Sequence, residues 1–163
     1  FCTTPACAEA FGLRPSGLTY GKHVILIGPN GQNVTIVAHE RVHAETHRSL
    51  RLSDLWDQRI PAWFDEGLAT HLSGDTRAHR PADPREADWI CAARGFRDWS
   101  RLHADHDWRT TYGAAARLVE EIEDTHGRTA LLSLIEAVEA GAMLEAEYAR
   151  LVPAATGCAA PPS

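Results

Sequence analysis

Residues 33–50 read NVTIVAHERVHAETHRSL, and this stretch is the starting point for predicting the fold. Apolar or small side chains recur at the spacing of one helix face, at Val34, Val37, Ala38 and Val42. Asn33 stands just before them and is a residue type that caps helix N-termini well. The stretch therefore predicts a helix of about four turns that is at least partly buried.

The same helix carries two histidines with a glutamate between them, in the order His39-Glu40-Arg41-Val42-His43. Side chains four residues apart lie on one helix face with Cβ atoms roughly 5–6 Å apart. Both imidazoles can therefore reach one Zn²⁺. Glu40 lies one residue on, where its carboxylate can face a water on the ion without binding the ion itself. On a partly buried helix these groups are costly without a cation, so the pattern predicts a metal site.

Two histidines leave such a site incomplete. His47 lies about 12 Å from His39 along a helix that rises 1.5 Å per residue, too far to share one tetrahedron. We expect His47 at the surface or behind the ligands. Glu66, in PAWFDEGLA at residues 61–69, is the better donor, on a helix that begins near Pro61 and ends at Ser73-Gly74. The later histidines are expected to be solvated: His71, His79, His103, His106 and His126.

His-Glu-x-x-His followed by Trp-Phe-Asp-Glu-Gly-Leu-Ala resembles the motif pair of the gluzincin metallopeptidases, particularly the small bacterial proteins of the peptidase MA-like family. The combination is specific, whereas either motif alone is weaker. The resemblance implies a zincin-like fold and zinc-dependent hydrolysis of peptide bonds. It implies His39, His43 and Glu66 as the zinc ligands and Glu40 as the general base.

The resemblance covers roughly residues 24–150 and includes Tyr112, which opens the segment YGAAARLV. In related gluzincins a tyrosine of a later helix donates its phenol to the oxyanion of the tetrahedral intermediate. Tyr112 is equally a candidate for a core tyrosine that holds its helix in place. Some gluzincins have an acidic residue one turn after the ligand glutamate, bonded to a metal-binding histidine. This chain has Thr70 there, which leaves Glu45 or Asp65 for that role.

The remaining patterns predict a mostly helical α+β domain over residues 1–163, with a small N-terminal sheet packed on the metal-site helix. Residues 18–27 are rich in β-branched and aromatic side chains and predict a strand, or a bent pair broken at Gly21-Lys22. Helical spacing with glycine or proline stops predicts a helical C-terminal half, at 109–126, 129–140 and 143–152. Further expectations are a lead-in over 1–17, a surface loop over 75–84, a helix over 85–94 and an extended tail over 153–163.

Composition narrows the class of protein. The chain has 163 residues, of which 44% are hydrophobic and 23% charged, as in a single globular domain. The net charge of −6 and the pI near 5.8 argue against a nucleic-acid partner. No apolar run approaches the roughly 20 residues that span a bilayer. A peptide or protein substrate is the expected partner, and the oligomeric state stays open.

The four cysteines lack the Cys-x-x-Cys spacing of a zinc ribbon. An even number fits two disulfides with three possible connectivities, of which we expect Cys2–Cys7 and Cys91–Cys158. Four free thiols in a reducing cytosol are the alternative. Because the chain begins at Phe1 without Met, we expect an exported protein, periplasmic or extracellular, cut from a longer precursor.

Other functions fit the same residues. One is hydrolysis of an amide other than a peptide bond, and another is a partner-binding or regulatory module with a structural zinc. A third is a scaffold without metal in which the motif is coincidental. A structural site has no use for Glu40 beside a set of two histidines and one glutamate, so the sequence favours hydrolysis.

Overall fold

Two short strands lie near the N-terminus, and helices occupy most of the chain that follows. The computed structural model describes residues 1–13, 16–50, 59–152 and 158. In chain order its strands and α-helices are α1 (Pro5–Ala10), β1 (Gly17–Tyr20), β2 (Val24–Ile27), α2 (Val34–Thr46), α3 (Ala62–Leu72), α4 (Phe96–Asp105), α5 (Trp108–His126), α6 (Arg128–Glu139) and α7 (Leu144–Leu151). Two 3₁₀ helices lie at Pro29–Gly31 and Pro84–Ala92. The predicted class, mostly helical with a small sheet, is confirmed.

The predicted strand region forms a hairpin. β1 and β2 pair antiparallel, in a register that runs from Gly17↔Ile27 to Tyr20↔Val24. Gly21 follows β1 with a φ of +54°, in the left-handed region that glycine enters without steric cost. The bent pair broken at this glycine is therefore confirmed, and the single strand is wrong.

α2 begins where the sequence predicts. The side-chain oxygen of Asn33 accepts a hydrogen bond from the N–H of Ile36 at 3.0 Å, which satisfies one of the free donors of the first turn. The helix ends at Thr46, and His47 caps it, so the predicted end near Leu50 is four residues too late.

The buried face of α2 is its polar face. His39, Glu40 and His43 are buried, whereas Val34 and Val37 are exposed. The apolar residues of the first turn are therefore a poor guide to which side of this helix points inward. The side of α2 that points inward therefore carries His39, Glu40 and His43.

Two glycines let α5 pack closely against the backbone of its neighbours. A Cβ on Gly67 of α3 would lie 2.4 Å from the carbonyl oxygen of Ala115, closer than real Cβ atoms come to any such atom. Gly113 of α5 approaches the backbone of His79 in the same way, where a Cβ would lie 2.0 Å from the carbonyl oxygen. The Gly67 contact holds α3 against the core one residue after Glu66, and so fixes the position of that carboxylate.

The main core lies among the helices and the second 3₁₀ helix. Its largest fully buried side chains are Trp63, Phe64, Leu68, Ile90, Leu118, Ile122, Leu131, Leu144 and Tyr148. Each aliphatic side chain so buried contributes about 1.5–3 kcal/mol relative to exposure. A smaller cluster of Cys2, Ala8 and Leu13 packs on Leu18 and Leu26 and supports the hairpin.

The C-terminal helices are confirmed, since α5, α6 and α7 agree with the predicted ranges to within one residue. The helix predicted over 85–94 is present as a 3₁₀ helix over Pro84–Ala92, and α4 lies where no element was predicted. α4 fully buries only Trp99, although Phe96, Trp99 and Leu102 recur at a spacing typical of a helix face. Most of the predicted tail, 153–163, lies outside the described residues.

Both predicted disulfides are present. Cys2 bonds to Cys7 within the lead-in, and Cys91 bonds to Cys158 across 67 residues. The alternative of four free thiols is wrong. Disulfides fit the oxidising environment of exported proteins. Among the described residues, no helix is long and apolar enough to cross a membrane.

Candidate metal centre

α2 and α3 bring together three side chains of the types that bind metal ions. His39 Nε2 lies 3.1 Å from His43 Nε2, and both lie near Glu66 Oε2, at 3.3 and 3.4 Å respectively. Bonds of about 2.0–2.1 Å at tetrahedral angles separate two donor atoms by about 3.3–3.4 Å. The three atoms therefore stand at the spacing of three corners of one tetrahedral site, and the residues fit a small cation.

The remaining nitrogen of His43 faces a second carboxylate. His43 Nδ1 lies 3.0 Å from Asp65 Oδ2, and His47 Nε2 lies 2.9 Å from the same oxygen. Asp65 thus connects the two histidines from behind the donor set. Of the two carboxylates expected for this role, Asp65 makes the contact, whereas Glu45 pairs with arginines at the surface of α2.

His43, His47 and Asp65 also lie within metal-binding distance of one another. This second group uses Nδ1 of His43, while the first group uses Nε2. Because His43 belongs to both groups, the simplest interpretation is that Asp65 and His47 orient His43 within the first group. His47 lies behind the ligands, as the helix geometry predicts.

The charges around the donor set favour a cation. Burial raises the pKa of the Glu66 carboxyl, but His43 and His39 outweigh burial and lower that pKa to about 2. Burial likewise raises the pKa of Asp65, yet His43 and His47 outweigh it and hold that pKa well below its usual range. Burial lowers the pKa of His43, whereas Asp65 and Glu66 raise it well above its usual value. Two buried carboxylates that keep their charge favour positive charge beside them, which a proton on His43 or a divalent ion can supply.

Glu40 is buried but does not belong to either donor group. Its carboxylate faces the hairpin, where the hydroxyl of Thr19 lies 2.6 Å from Oε2. It also lines a cleft of about 330 Å³ together with His39, Gly17 and Tyr112. One side of this cleft therefore carries the imidazole of His39, from the donor set, and a carboxylate that lies outside that set.

Tyr112 of α5 lies at the wall of the cleft. Its ring centroid is 5.8 Å from that of His39 and 5.0 Å from that of Trp99, which it meets edge to face. Burial raises the pKa of its phenol well above the usual value, with Glu66 raising it further and a hydrogen bond with Trp99 lowering it in part. The phenol therefore stays protonated and keeps a proton to donate. Both interpretations of Tyr112 find support here, because it packs on Trp99 and lines the cleft beside His39.

Several residues of the site were missed by the sequence patterns. Thr19 and Gly17 contact Glu40 from the hairpin, and a glycine inside a strand is a signal of close backbone approach. Arg77 forms a two-pronged pair with Asp75 at the rim of the cleft, with N···O distances of 2.8 and 2.6 Å. Nothing in the spacing of these residues connects them to the helix that carries Glu40.

The histidines expected to be solvated divide into two groups. His79, His106 and His126 are exposed. His71 is wrongly predicted, because its Nε2 lies 2.6 Å from Glu123 Oε2 and the side chain is only 19% exposed. His103 is also partly buried and contacts the ring of Tyr112.

Comparison of the chain with protein-family models, curated proteins and solved structures finds no match.

Proposed function

We propose that this protein is a zinc metallopeptidase of the gluzincin type, with a zincin-like fold similar to that of the peptidase MA-like family. One observation carries the proposal. Three donor atoms of His39, His43 and Glu66 stand 3.1–3.4 Å apart beside a cleft, and Glu40 lines that cleft without belonging to the donor set.

The donor types favour zinc among the common biological cations. Two imidazole nitrogens and one carboxylate oxygen are a frequent ligand set for catalytic Zn²⁺. Mg²⁺ and Ca²⁺ prefer oxygen ligands, and the set has only one such residue. Three protein donors also leave one corner of a tetrahedron open, which is typical of catalytic and not of structural zinc.

The chemistry divides between the ion and the chain. When bound, zinc supplies Lewis acidity that polarises a carbonyl and makes water a better nucleophile. Glu40 accepts the proton of the attacking water and passes it to the leaving amine, so the same carboxylate is base and then acid. The Tyr112 phenol donates a hydrogen bond to the oxygen on which negative charge develops.

An extended peptide suits the cleft. Antiparallel strands pair by backbone hydrogen bonds, and an uncovered strand edge accepts a peptide in the same way. At the end of β2, the carbonyl of Ile27 accepts a hydrogen bond from the N–H of Cys2, so this edge of the hairpin is partly covered. Gly17 of β1 lines the cleft instead, so β1 is the better edge for the substrate.

The disulfides support an exported protein. A peptidase held by two such bonds works in the periplasm or outside the cell, where substrates are peptides or proteins and the thiols stay oxidised. Its acidic net charge of −6 favours neutral or basic segments over acidic ones as substrates.

The experiment is a peptide-library digest with zinc measured in parallel. Protein purified without added zinc should contain about one zinc per chain, should cleave a subset of the library, and should lose cleavage on chelation and regain it when zinc is returned. His39→Ala, which lacks one donor, is the control for contaminating peptidases. Zinc without cleavage of any peptide or amide would support a partner-binding module, and a protein that binds no zinc would overturn the proposal.

A further inference from the structure

Two residues of β1, Gly17 and Thr19, lie next to the carboxylate of Glu40. The hydroxyl of Thr19 lies 2.6 Å from Glu40 Oε2 and 3.0 Å from the backbone carbonyl oxygen of the same residue. A threonine hydroxyl has one proton to donate, and 2.6 Å is in the range of a charge-assisted bond to a carboxylate. The proton therefore goes to Oε2.

Gly17 also lies against the side chain of Glu40. A Cβ on Gly17 would lie 2.5 Å from Glu40 Oε1 and 2.6 Å from Glu40 Cγ. Since real Cβ atoms do not approach so closely, the side chain of Glu40 keeps its place only because residue 17 has none. Gly17 and Thr19 alternate with Leu18 along β1, so both project from one face of the hairpin.

We propose that Thr19 is a positioning residue for Glu40, with Gly17 providing the space that this position requires. The inference rests on the proposed function, in which Glu40 transfers the proton. The bond to Oε2 fixes the rotamer of a side chain with three rotatable bonds and leaves Oε1 to accept the proton. Without it, a buried carboxylate samples other rotamers, and a misplacement of about 1 Å at a reacting group commonly costs about 10²-fold in rate.

A purely structural role is the competing explanation, because the same bond also joins the hairpin to α2. The two roles differ in what happens when Glu40 cannot act as a base. If Thr19 positions Glu40 for proton transfer, removing its hydroxyl should not lower the rate further in Glu40→Gln. If Thr19 is only a structural support, removing its hydroxyl should cost the same stability and activity in both backgrounds.

The test compares Thr19→Val, which removes the hydroxyl and keeps the shape, with Thr19→Ser, which keeps the hydroxyl. Thr19→Val should lower kcat roughly 10- to 100-fold with KM and zinc content little changed, and Thr19→Ser should restore most of kcat. In the Glu40→Gln background, Thr19→Val should change the residual rate by less than about twofold. Gly17→Ala should lower kcat as well, because the new methyl group displaces Glu40.

Thr46→Val is the matched control. Thr46 lies on α2, the helix that carries Glu40, and its hydroxyl donates to the backbone carbonyl of Val42 and not to Glu40. It should lower stability without lowering kcat. Crystal structures of the wild-type, Thr19→Val and Thr19→Ser proteins give a readout that does not depend on activity. The carboxylate of Glu40 should leave its place only in Thr19→Val.

Three results would overturn the inference. One is a Glu40 carboxylate that stays in place in Thr19→Val, and another is a Thr19→Ser protein no more active than Thr19→Val. The third is an equal loss of rate from Thr19→Val in the wild-type and Glu40→Gln backgrounds. If the wild-type protein cleaves nothing, the proposed function fails, and the crystal structures still decide whether Thr19 holds Glu40.

Discussion

Asp65 Oδ2 lies 3.0 Å from His43 Nδ1, on the imidazole whose Nε2 lies 3.4 Å from Glu66 Oε2. A carboxylate close to Nδ1 favours the tautomer with the proton on that nitrogen, in which the lone pair of Nε2 is free for a metal ion. His47 Nε2, 2.9 Å from the same oxygen, helps to hold Asp65 in place. Two successive residues of α3 thus contact His43, Asp65 at Nδ1 and Glu66 at Nε2.

Asp65→Asn tests this relationship. The amide keeps the shape of the side chain but loses its charge, so His43 should be a weaker ligand. We expect the dissociation constant for zinc to rise about 10- to 100-fold, measured by competition with a chelating dye. Glu45→Gln is the control, because Glu45 lies on the same helix as His43 and pairs with Arg41 and Arg48. Equal zinc affinity in the two variants would contradict the role of Asp65.

The centre of the site follows from local geometry. Residues four apart share a helix face, so His39 and His43 meet whatever the rest of the chain does. Glu66 required the resemblance to a known motif pair, because nothing local connects it to α2. Glu45 and Asp65 were both candidates for the carboxylate behind His43, but Glu45 is two residues from His43, and residues two apart on a helix do not face each other. Asp65 contacts His43 only through the packing of two helices.

Other parts of the structure depend on tertiary contacts that no local pattern records. The helices with strong apolar periods and glycine stops are predicted to within a residue. α4 was not predicted, although Phe96, Trp99 and Leu102 recur at a spacing typical of a helix face. Thr19 reaches Glu40 across 21 residues, in a hairpin whose register is set by the whole pairing.

Tyr112→Phe tests whether the phenol takes part in the reaction. If it donates to the developing oxyanion, kcat should fall roughly 10²- to 10³-fold while zinc content stays unchanged. If it only packs against Trp99 and His39, the phenylalanine ring replaces it and kcat should hardly change. Trp99→Phe is the control for packing, and it should lower stability more than kcat. A Tyr112→Phe protein with wild-type kcat would leave only the core role.

His71 is expected to make stability depend on pH. Its pKa is raised by hydrogen bonds to Glu120 and Glu123, with burial lowering it in part. A raised pKa means that the folded state holds the proton more tightly, so His71 stabilises the fold below its unfolded value of about 6.5. This contribution is lost as the pH rises through the folded pKa. Glu123 has a pKa lowered by its hydrogen bond with His71, so its contribution is present above about 4.5 and lost in acid.

His71→Gln should therefore reduce the free energy of unfolding by about 1 kcal/mol near pH 6 and by less near pH 9. Urea unfolding at both pH values measures the difference. His126→Gln is the control, because His126 is exposed at the end of α5 and should cost little at either pH. The same loss for His71→Gln at pH 6 and pH 9 would exclude the ion pair as the cause.

The Cys91–Cys158 disulfide closes a long loop and joins two residues of the main core. In the chain-entropy description, a loop of 67 residues corresponds to about 4 kcal/mol, and the short Cys2–Cys7 loop to about 2 kcal/mol. Replacing both Cys91 and Cys158 by alanine should thus destabilise the fold more than replacing Cys2 and Cys7. Urea unfolding of the two double variants compares them, and a reversed order would contradict the expectation.

The most direct measurement is the turnover of Glu40→Gln in protein whose zinc content is known. Gln has the shape of Glu and can hydrogen-bond to water, but it cannot accept a proton. Zinc should stay near one per chain because Glu40 does not belong to the donor set. The rate of peptide cleavage should fall about 10⁴-fold, the upper end for loss of a general base, since the same group also serves as acid. Wild-type turnover by a zinc-replete Glu40→Gln protein would contradict the account.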